Sequence, residues 1–464
     1  EDWNIVEFKF EKDNDPGWQW IPIRVRYDKT AELHSGKRKN YGNAYHVAQS
    51  VWRSINNPIT KHMITTGLNI QEELVDDTVY YKKKSKETTT RYLRDFHNKF
   101  VKRELISKIC KKGDTLIDHS VGKAGDLQKW INAELSFVFG IDYSKDNIIN
   151  KLDGACSRYL EACKKNKILP DALFIHGNSS LPILNGNATA ETNTLATTTI
   201  NAVFGTIEKD KNLPKGILKN YGKGKNGFDV VSNQFSIHYF FKNITTFHNF
   251  LRNVCETCKV GGYFIGTCYD GYRVFDKLSK KKYEESVFIN NGEDKMWEIK
   301  KLYNKTEFPN TDESLGYEID VYQESINKFI PEYLVNFNYL ISSLQLYGFE
   351  PVDDENARKL GFPTAIASFK DLFDLMDDQI NNKKLKKNVI GNALRLSSNE
   401  KKISFLNNYF IFQKKSNPDA VAISRMMINK NKHLDDIGDD AQPEKITIKR
   451  KVRKLKKTIN LPLG

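Results

Sequence analysis

The sequence predicts an α/β fold in which a doubly wound, mostly parallel β-sheet carries helices on both faces. An apolar run at 115–121, a glycine turn at 122–125 and a helical segment after Asp126 form a strand-turn-helix unit. Strand and helix patterns then alternate along the chain. A second apolar run ends at Asp142, about 20 residues after Gly122, where a carboxylate suits the hydroxyls of a ribose.

The other predicted elements come from apolar periodicity. Strands are predicted at 116–121, 137–142, 173–176, 228–232, 262–267 and 317–321, with a closing strand at 409–413. Helices are predicted at 86–110, 126–134, 145–165, 243–259 and 331–346. Short alternating segments before residue 30 predict a hairpin.

Length and composition indicate one large domain with appendages. The predicted segments, in chain order, are a hairpin at 1–30, a connector at 31–85, the main domain at 86–415 and a basic, loosely held tail at 416–464. Within the main domain, Asn/Ala/Thr-rich 183–200 and Lys/Asn-rich 374–400 are predicted insertions, the first of them loose and on the surface. The net charge of +14 favours a polyanionic partner such as nucleic acid.

Cysteine usage and hydropathy exclude several classes of protein. The six cysteines form no disulfide framework, and Cys255 and Cys258 make a lone C-x-x-C without a second pair, so no metal is predicted. A reducing, cytoplasmic compartment fits this usage. No apolar run approaches the ~20 residues of a membrane helix, so no membrane partner is predicted.

Acidic residues flank the glycine turn. Asp118 precedes the turn and Asp126 follows it, and two carboxylates at this place would repel a pyrophosphate. They suit a cationic ligand, such as the sulfonium and α-amino groups of S-adenosyl-L-methionine (AdoMet). By spacing alone, a glycine turn in some other α/β protein stays an alternative.

Three motifs carry a family resemblance. The segment NQFSIHY at 233–239 follows the fourth strand, and GGYFIGT at 261–267 and PEYLV at 331–335 accompany it. Together they resemble the mRNA cap (guanine-N7) methyltransferase family, in the form fused to a guanylyltransferase in large viral capping enzymes. The resemblance covers roughly 90–415 and implies a Rossmann-like class I AdoMet-dependent methyltransferase with a seven-stranded sheet.

The resemblance implies a set of cofactor-binding residues. In the family, the residues matching Asp118 and the backbone of Gly122 hold the amino-acid end of AdoMet, and the one matching Asp142 holds its ribose. Lys102 resembles a lysine that reaches the cofactor carboxylate, and Asn178 stands where the family usually has an aspartate beside the adenine. The implied set is Lys102, Asp118, Gly122, Asp126, Asp142, Asn178, Gln234 and Phe235.

The resemblance also implies a set of cap-binding residues. These are Lys123 and Arg158 for the triphosphate bridge, His238, Tyr239 and Glu332 around the guanine, and an aromatic of the last strand, Tyr409. A stricter alignment of that strand offers Asn407 instead. Guanine N7 carries an in-plane lone pair, so attack on a sulfonium methyl needs neither a general base nor a metal. Orientation of the guanine by these side chains can supply about 7–11 kcal/mol.

Five of the predicted site residues also have a simpler interpretation. His238 is compatible with a core histidine, and Glu332 with a carboxylate at the N-terminus of a helix after Pro331. Lys123 is compatible with a solvated loop lysine, and Arg158 and Lys102 with ordinary charges on a helix surface.

The amino-terminal segment bears on the partners. Residues 20–29 resemble the last motif of capping guanylyltransferases, which lies on their OB-fold, so 1–30 is predicted to be a remnant of that domain. The K-x-D-G at 151–154 falls inside a predicted helix and out of the family order, so it is interpreted as coincidence and no GMP transfer is expected. The implied partners are capped mRNA and the guanylyltransferase and triphosphatase domains of the same polypeptide or complex. A stimulatory subunit is left open, as is a viral factory or virion if the chain is viral.

Two rival functions stay open. The fold could be a catalytically inactive module that binds capped RNA or a capping partner. It could also be an AdoMet enzyme with another acceptor, although the sequence shows no Lys-Asp-Lys-Glu ribose 2′-O site. The segment at 233–235 also replaces the N-P-P-F/Y loop of amino-directed DNA enzymes.

Overall fold

A computed structural model describes residues 3–36 apart from 12 and 16, residues 47–48, 51–52 and 55, and residues 90–439 apart from 167, 190–193, 293 and 325. The chain divides into two units, Glu1–Asp76 and Asp77–Gly464. Most of the predicted connector, 31–85, lies outside the described residues.

The first unit holds a β-hairpin followed by a helix. β1 (Val6–Phe10) pairs antiparallel with β2 (Trp20–Val25), and α1 (Tyr27–His34) follows. The buried hydroxyl of Thr30 accepts a hydrogen bond at 3.0 Å from the Ile5 amide, which ties the helix to the first strand. The predicted hairpin is confirmed, and its descent from an OB-fold stays a prediction.

The second unit is built on a large mixed sheet. Its strands are β3 (Thr115–Asp118), β4 (Phe137–Asp142), β5 (Asp171–His176), β6 (Phe228–Gln234), β7 (Cys258–Tyr269), β8 (Ser286–Asn291), β9 (Asp294–Lys301), β10 (Glu318–Gln323), β11 (Phe329–Tyr333), β12 (Phe349–Pro351), β13 (Ile366–Ser368) and β14 (Asn407–Lys414). The large sheet has the order β12-β14-β7-β6-β3-β4-β5, with β13 paired to β14. β3 to β7 run parallel and β14 runs antiparallel to β7. The predicted mostly parallel sheet of seven strands is present, with one short strand added.

Helices connect these strands. They are α2 (Arg91–Asp95), a π-helical segment (Phe96–Val101), α3 (Lys102–Ile109), α4 (Leu127–Asn132), α5 (Lys145–Ile149), α6 (Ala155–Lys165), α7 (Thr194–Phe204), α8 (Lys215–Lys219), α9 (Ile244–Thr257), α10 (Gly271–Lys277), α11 (Phe337–Leu346), α12 (Asp354–Lys359), α13 (Phe369–Asn381), α14 (Ser398–Ser404) and α15 (Ala420–Asp439). Within the described part of the chain, none of the helices has the length and apolarity that crossing a membrane requires.

One apolar core lies on each face of the large sheet. Successive side chains of a strand point to opposite faces, and Ile117 joins one core while its neighbour Leu116 joins the other. The first core includes side chains of α7, α9 and α11, and the second includes side chains of α3, α4 and α13. Burial on both faces explains why these strands read as continuous apolar runs in the sequence.

A second, antiparallel sheet lies in the chain between β7 and α11. Its order is β11-β10-β9-β8, and its buried face includes Trp297, Ile299 and Val321. Sequence periodicity indicated only 317–321 within it. The helix predicted at 331–346 begins at Phe337, because the Asn336 side chain accepts a hydrogen bond at 3.1 Å from the Tyr339 amide and caps it there. Glu332 is therefore a strand residue rather than a helix N-terminal carboxylate.

Both segments predicted as insertions carry buried side chains, including the one that was expected to be loose. In 183–200, Ile183, Ala188 and Ile200 belong to the first core, so the described parts of this segment, 183–189 and 194–200, are not a loose surface loop. In 374–400, buried side chains include Met376, Ile380 and Ile390. Whether either segment is an insertion relative to other members stays a prediction.

The predicted tail and the predicted helix at 145–165 also differ from the structure. The tail begins with α15, whose Ala420 and Ser424 are buried, and the basic run 445–457 lies outside the described residues. The helix is interrupted between α5 and α6, where the Asn150 side chain accepts a hydrogen bond from the Leu152 amide. The K-x-D-G therefore lies on a turn.

Candidate active site

The candidate site lies at the carboxyl ends of the parallel strands, where ligands of open α/β sheets bind. Asp118 ends β3, Asp142 ends β4 and Gln234 ends β6. Tyr269 ends β7 and pairs with Asn407, which begins the antiparallel β14. Five strand ends thus bring polar side chains to the same edge of the sheet.

Asp142 is held by three hydrogen bonds. One of its oxygens accepts from the Ser144 amide and from Asn147 Nδ2, both at 2.9 Å, and the other accepts from the Gly122 amide at 2.7 Å. Gly122 has a φ of +55°, in the left-handed region that glycine tolerates. Burial raises the pKa of Asp142 even though these donors favour the carboxylate. The glycine turn is therefore tied to the tip of β4.

Asp118 is a buried carboxylate with few partners. Its Oδ1 accepts a hydrogen bond from the Ser120 amide at 3.0 Å. Burial raises its pKa to about 7, with a further contribution from the negative charge of Asp126. A cationic group placed beside Asp118 would lower that pKa and would be bound by the resulting carboxylate.

Lys102 and Asp126 form an ion pair beside these strand tips. The distance from Lys102 Nζ to Asp126 Oδ2 is 2.9 Å, and Lys129 Nζ lies 2.8 Å from Asp126 Oδ1. Burial opposes ionisation of Asp126, but the two lysines outweigh it and hold its pKa below the usual range. Lys102 is the first residue after the π-helical segment, and π-helical turns are frequent at functional sites.

The residues predicted near the adenine are partly engaged within the protein. Asn178 Oδ1 accepts from the Ser180 amide at 2.9 Å and from the Ser180 hydroxyl at 2.7 Å, so it already has two donors. Gln234 Oε1 accepts from the Thr267 hydroxyl at 3.1 Å. Phe235 follows with a φ of +57° and turns the chain at the end of β6.

A cavity of about 200 Å³ opens at this edge. It is lined by Leu93, Arg94, His97, Asn98, Lys102, Phe235, His238, Cys268, Tyr269, Gln323, Ile326, Glu332, Ile403 and Asn407. Two of these, Lys102 and Phe235, belong to the predicted cofactor set, and His238 and Glu332 belong to the predicted cap set. The structure thus brings members of both sets to one cavity.

His238 and Glu332 face each other in this cavity. His238 Nε2 lies 3.7 Å from Glu332 Oε1, and neither ring nitrogen of His238 has a hydrogen-bond partner among the described residues. Burial lowers the pKa of His238 to about 3 and raises the pKa of Glu332 to about 8. The ring of Tyr239 packs edge-on against His238, with centroids 4.2 Å apart. Buried polar groups normally have partners, so this pair is suited to a polar ligand.

Other predicted cap residues are placed differently. Tyr409 is fully buried in the second core, and its hydroxyl donates to the Thr364 carbonyl at 2.8 Å, so its side chain does not line the cavity. Asn407, which the stricter alignment of the last strand offers instead, does line the cavity. Lys123 Nζ is 2.7 Å from Asp153 and 3.1 Å from Asp146, and Arg158 is exposed on α6.

Some cavity residues had no counterpart in the sequence-based set. Tyr269 lies two residues beyond the predicted strand 262–267, so its position near the strand end was a usable signal. Gln323 ends β10, in the sheet that periodicity largely missed. His97 stacks on Phe235 with ring centroids 5.2 Å apart and an interplanar angle of 21°. Among the described residues, no group of three or more His, Cys, Asp or Glu side chains could hold a metal ion.

The strand order and the site together define the class of protein. A parallel sheet with acidic residues at the tips of its first two strands, a glycine turn between them and an antiparallel β14 is a Rossmann-like class I AdoMet-dependent methyltransferase fold. Residues 71–415 match the mRNA (guanine-N(7))-methyltransferase domain, and the chain belongs to that family. The predicted fold class and family are confirmed.

Curated relatives include viral and fungal proteins. The chain is 29% identical to "Probable mRNA-capping enzyme" of Acanthamoeba polyphaga mimivirus, over 93% of this chain and 38% of that protein. It is 28% identical to "mRNA cap guanine-N(7) methyltransferase" of Saccharomyces cerevisiae, over 56% of this chain and 51% of that protein. It is 22% identical to "mRNA-capping enzyme" of African swine fever virus, over 76% of this chain and 36% of that protein. The chain thus spans about half or less of the length of these relatives.

Proposed function

We propose that this chain transfers a methyl group from AdoMet to N7 of the guanine cap of GpppRNA. The observation that carries the proposal is the shared cavity, in which Lys102 and Phe235 from the cofactor side meet His238 and Glu332 from the cap side. The sequence relatives support it, because the curated names include cap guanine-N7 methyltransferases.

The strand-tip residues fit AdoMet. Asp118 is a buried carboxylate that a cationic amino group would satisfy, and Asp142 is positioned at the tip of the next strand for ribose hydroxyls. Lys102 supplies a cation for the carboxylate end once its pairing with Asp126 is shared. When bound, AdoMet supplies an electrophilic sulfonium methyl. Asn178 fits the adenine less well, since both Ser180 donors already occupy its amide oxygen.

Glu332 recognises the guanine in this proposal. Its carboxylate accepts hydrogen bonds from guanine N1–H and from the 2-amino group, which adenine cannot donate from the same positions. Its negative charge also stabilises the positive charge that the ring gains on methylation at N7. Because burial raises the pKa of Glu332 to about 8, guanine binding must be accompanied by loss of its proton at neutral pH.

His238 and Tyr239 orient the purine. Burial keeps His238 neutral, so it acts as a hydrogen-bonding group and not as an acid at neutral pH. Guanine N7 carries no proton, so no side chain has to remove one. The contribution of the protein is proximity, orientation and electrostatics, with the first two able to supply about 7–11 kcal/mol.

The wider context belongs to the same proposal. We infer capped mRNA as substrate, with guanylyltransferase and triphosphatase domains on the same polypeptide or complex, since the mimivirus relative is named as a capping enzyme. Lys123, after exchanging its aspartate partners, and Arg158 stay predicted ligands of the triphosphate bridge. A stimulatory subunit and a cytoplasmic setting, in a viral factory or virion if the chain is viral, stay predictions.

Incubation with GpppRNA and methyl-labelled AdoMet tests the proposal. We expect label in 7-methylguanosine after nuclease digestion, and none when the RNA ends in a plain triphosphate. Absence of label at N7 would refute the activity. Calorimetry with S-adenosylhomocysteine separates the rival, because an inactive module that merely binds capped RNA has no need of the cofactor product.

A further inference from the structure

The hydroxyl of Tyr269 is a polar group of the cavity that the proposed cofactor and cap contacts do not use. Tyr269 ends β7 and lines the cavity together with His238 and Glu332. The indole Nε1–H of Trp297 donates to this hydroxyl at 3.1 Å, and the Gln323 side-chain amide donates to it at 3.2 Å. Both donors come from the antiparallel sheet, so that sheet holds the hydroxyl in place.

These two hydrogen bonds determine the polarity of the Tyr269 hydroxyl, that is, whether it donates or accepts a hydrogen bond on its cavity side. A phenol has two acceptor lone pairs and one donor hydrogen, and an indole N–H can only donate. With both lone pairs occupied, the hydroxyl hydrogen must point away from Trp297 and Gln323, and none of the described residues accepts it. Burial, with the nearby charge of Glu332, raises the pKa of Tyr269, so the hydrogen stays on the oxygen. Tyr269 therefore presents a fixed donor.

We propose that Tyr269 is a specificity-determining residue that donates its hydroxyl hydrogen to O6 of the cap guanine. The inference rests on the proposed function and on Glu332 as the partner of N1–H. In guanine, O6 is bonded to the carbon next to N1, so a ring whose N1–H meets Glu332 carries O6 beside that carboxylate. Tyr269 lines the same cavity and supplies the donor that O6 requires.

The fixed polarity also provides discrimination against adenine. Adenine carries a 6-amino donor where guanine carries the O6 acceptor. A free hydroxyl could rotate and accept from that amino group, but Trp297 and Gln323 occupy the lone pairs that would do so. An adenine cap would thus place donor against donor, and leaving buried polar groups unpaired is how enzymes reject close analogues most strongly. Gln323 and Trp297 act through Tyr269 and are positioning residues.

The test compares Tyr269→Phe with the unchanged chain on three dinucleotide caps. We expect Tyr269→Phe to bind GpppA about 3- to 10-fold more weakly, the cost of one hydrogen bond. With a 6-thioguanine cap, whose sulfur is a weak acceptor, we expect the two proteins to bind equally. An inosine cap keeps O6 and lacks the 2-amino group, so the weakening caused by Tyr269→Phe should return. An equal loss on all three caps, or no loss on GpppA, would overturn the proposal.

A second variant tests the fixed polarity. Gln323 is only half-buried, and Gln323→Leu removes one donor and frees a lone pair of the Tyr269 hydroxyl. We expect the ratio of ApppA to GpppA dissociation constants to fall several-fold, which a purely structural role would not cause. An unchanged ratio would contradict the proposal that Gln323 fixes the Tyr269 hydroxyl as a hydrogen-bond donor. S-adenosylhomocysteine binding reports folding in both variants. Methylation of GpppRNA by the unchanged chain separates failure of this inference from failure of the proposed function.

Discussion

Replacing Glu332 by glutamine should damage cap recognition while sparing the cofactor site. The Glu332 side chain is buried, its Oε1 lies 3.7 Å from His238 Nε2, and its carboxylate accepts no hydrogen bond from the described residues. A glutamine amide offers one acceptor oxygen, and its NH₂ group would face the N–H groups of guanine. Hydrogen bonds to a charged group contribute about 1.5–3 kcal/mol. We therefore expect GpppA binding to weaken about 10- to 150-fold when Glu332 would be ionised.

The affinity for GpppA should depend on pH in a defined direction. Because the pKa of Glu332 in the empty cavity is about 8, the unchanged chain must lose a proton to bind guanine at neutral pH. Cap affinity should therefore rise with pH, by up to about tenfold per unit below that pKa, and level off above it. Glu332→Gln has no such proton, so its affinity should stay flat over this interval. Fluorescence or calorimetric titration with GpppA from pH about 6.5 to about 8.5 measures both curves.

Thermal stability provides a second readout with a defined direction. The pKa of Glu332 is raised above that of an unfolded glutamate, about 4.3. The folded chain therefore holds this proton more tightly, and the stability this provides is present below pH about 4.3 and is lost as pH rises through about 8. The difference in melting temperature, Glu332→Gln minus the unchanged chain, should thus increase as pH rises from about 4.3 to about 8.

Glu318→Gln is the matched control. Glu318 lies on the neighbouring strand β10 and precedes Ile319, the residue that pairs with Glu332, so its side chain points to the opposite face of the sheet. The Glu318→Gln substitution should leave cap binding and the pH profile of cap binding unchanged. If Glu332→Gln weakened S-adenosylhomocysteine binding as much as cap binding, or kept the pH profile of the unchanged chain, Glu332 would have to be removed from the guanine site.

Three further outcomes test other parts of the site. Asp142→Ala should weaken AdoMet binding about tenfold or more, since a charged partner of the ribose is lost, and calorimetry that shows unchanged affinity with an intact circular dichroism spectrum would contradict the ribose role. Asn407→Ala should lower kcat/KM for GpppRNA, whereas Tyr409→Phe should leave it unchanged. Tyr409→Phe should cost about 1 kcal/mol of unfolding free energy, because the hydrogen bond to the Thr364 carbonyl is lost. The reverse pattern in steady-state assays would favour Tyr409 as the cap-site residue of the last strand. RNA binding should weaken as salt rises if lysines and arginines neutralise phosphates, and a flat plot of log Kd against log salt would exclude a basic RNA surface.

The central sheet was predictable because its strands are marked by apolar residues that are adjacent in the sequence. The inner parallel strands β4 and β6 are buried on both faces, so 137–142 and 228–232 stand out as apolar runs between helices. The antiparallel sheet was largely missed, because strands such as β9 alternate buried Trp297 and Ile299 with charged residues in a Lys-rich stretch. Glu332 was recognised by its motif but assigned to the wrong element.

The packing of the described residues within 183–200 was not predictable from composition. Threonine, alanine and asparagine are common in loops, yet Ile183 and Ile200 are fully buried against the sheet. Composition reports average solubility, whereas burial depends on which face of a helix meets the core.

The amino-acid sequence by itself determined the succession of strands in the parallel part of the large sheet, the acidic residues at the first strand tips and the family to which the chain belongs. These depend on residue types and spacings along the chain. Only the tertiary structure decided that Asn407 and not Tyr409 reaches the cavity, that Lys123 is paired with two aspartates, and that Trp297 and Gln323 set the polarity of Tyr269. The physical reason is depth in the sheet and long-range pairing. Asn407 and Tyr409 lie on the same face of β14, but only Asn407 pairs with Tyr269 at the strand-tip edge, while Tyr409 lies two residues further into the core. Side chains from distant elements, such as Trp297 and Tyr269, meet only after folding.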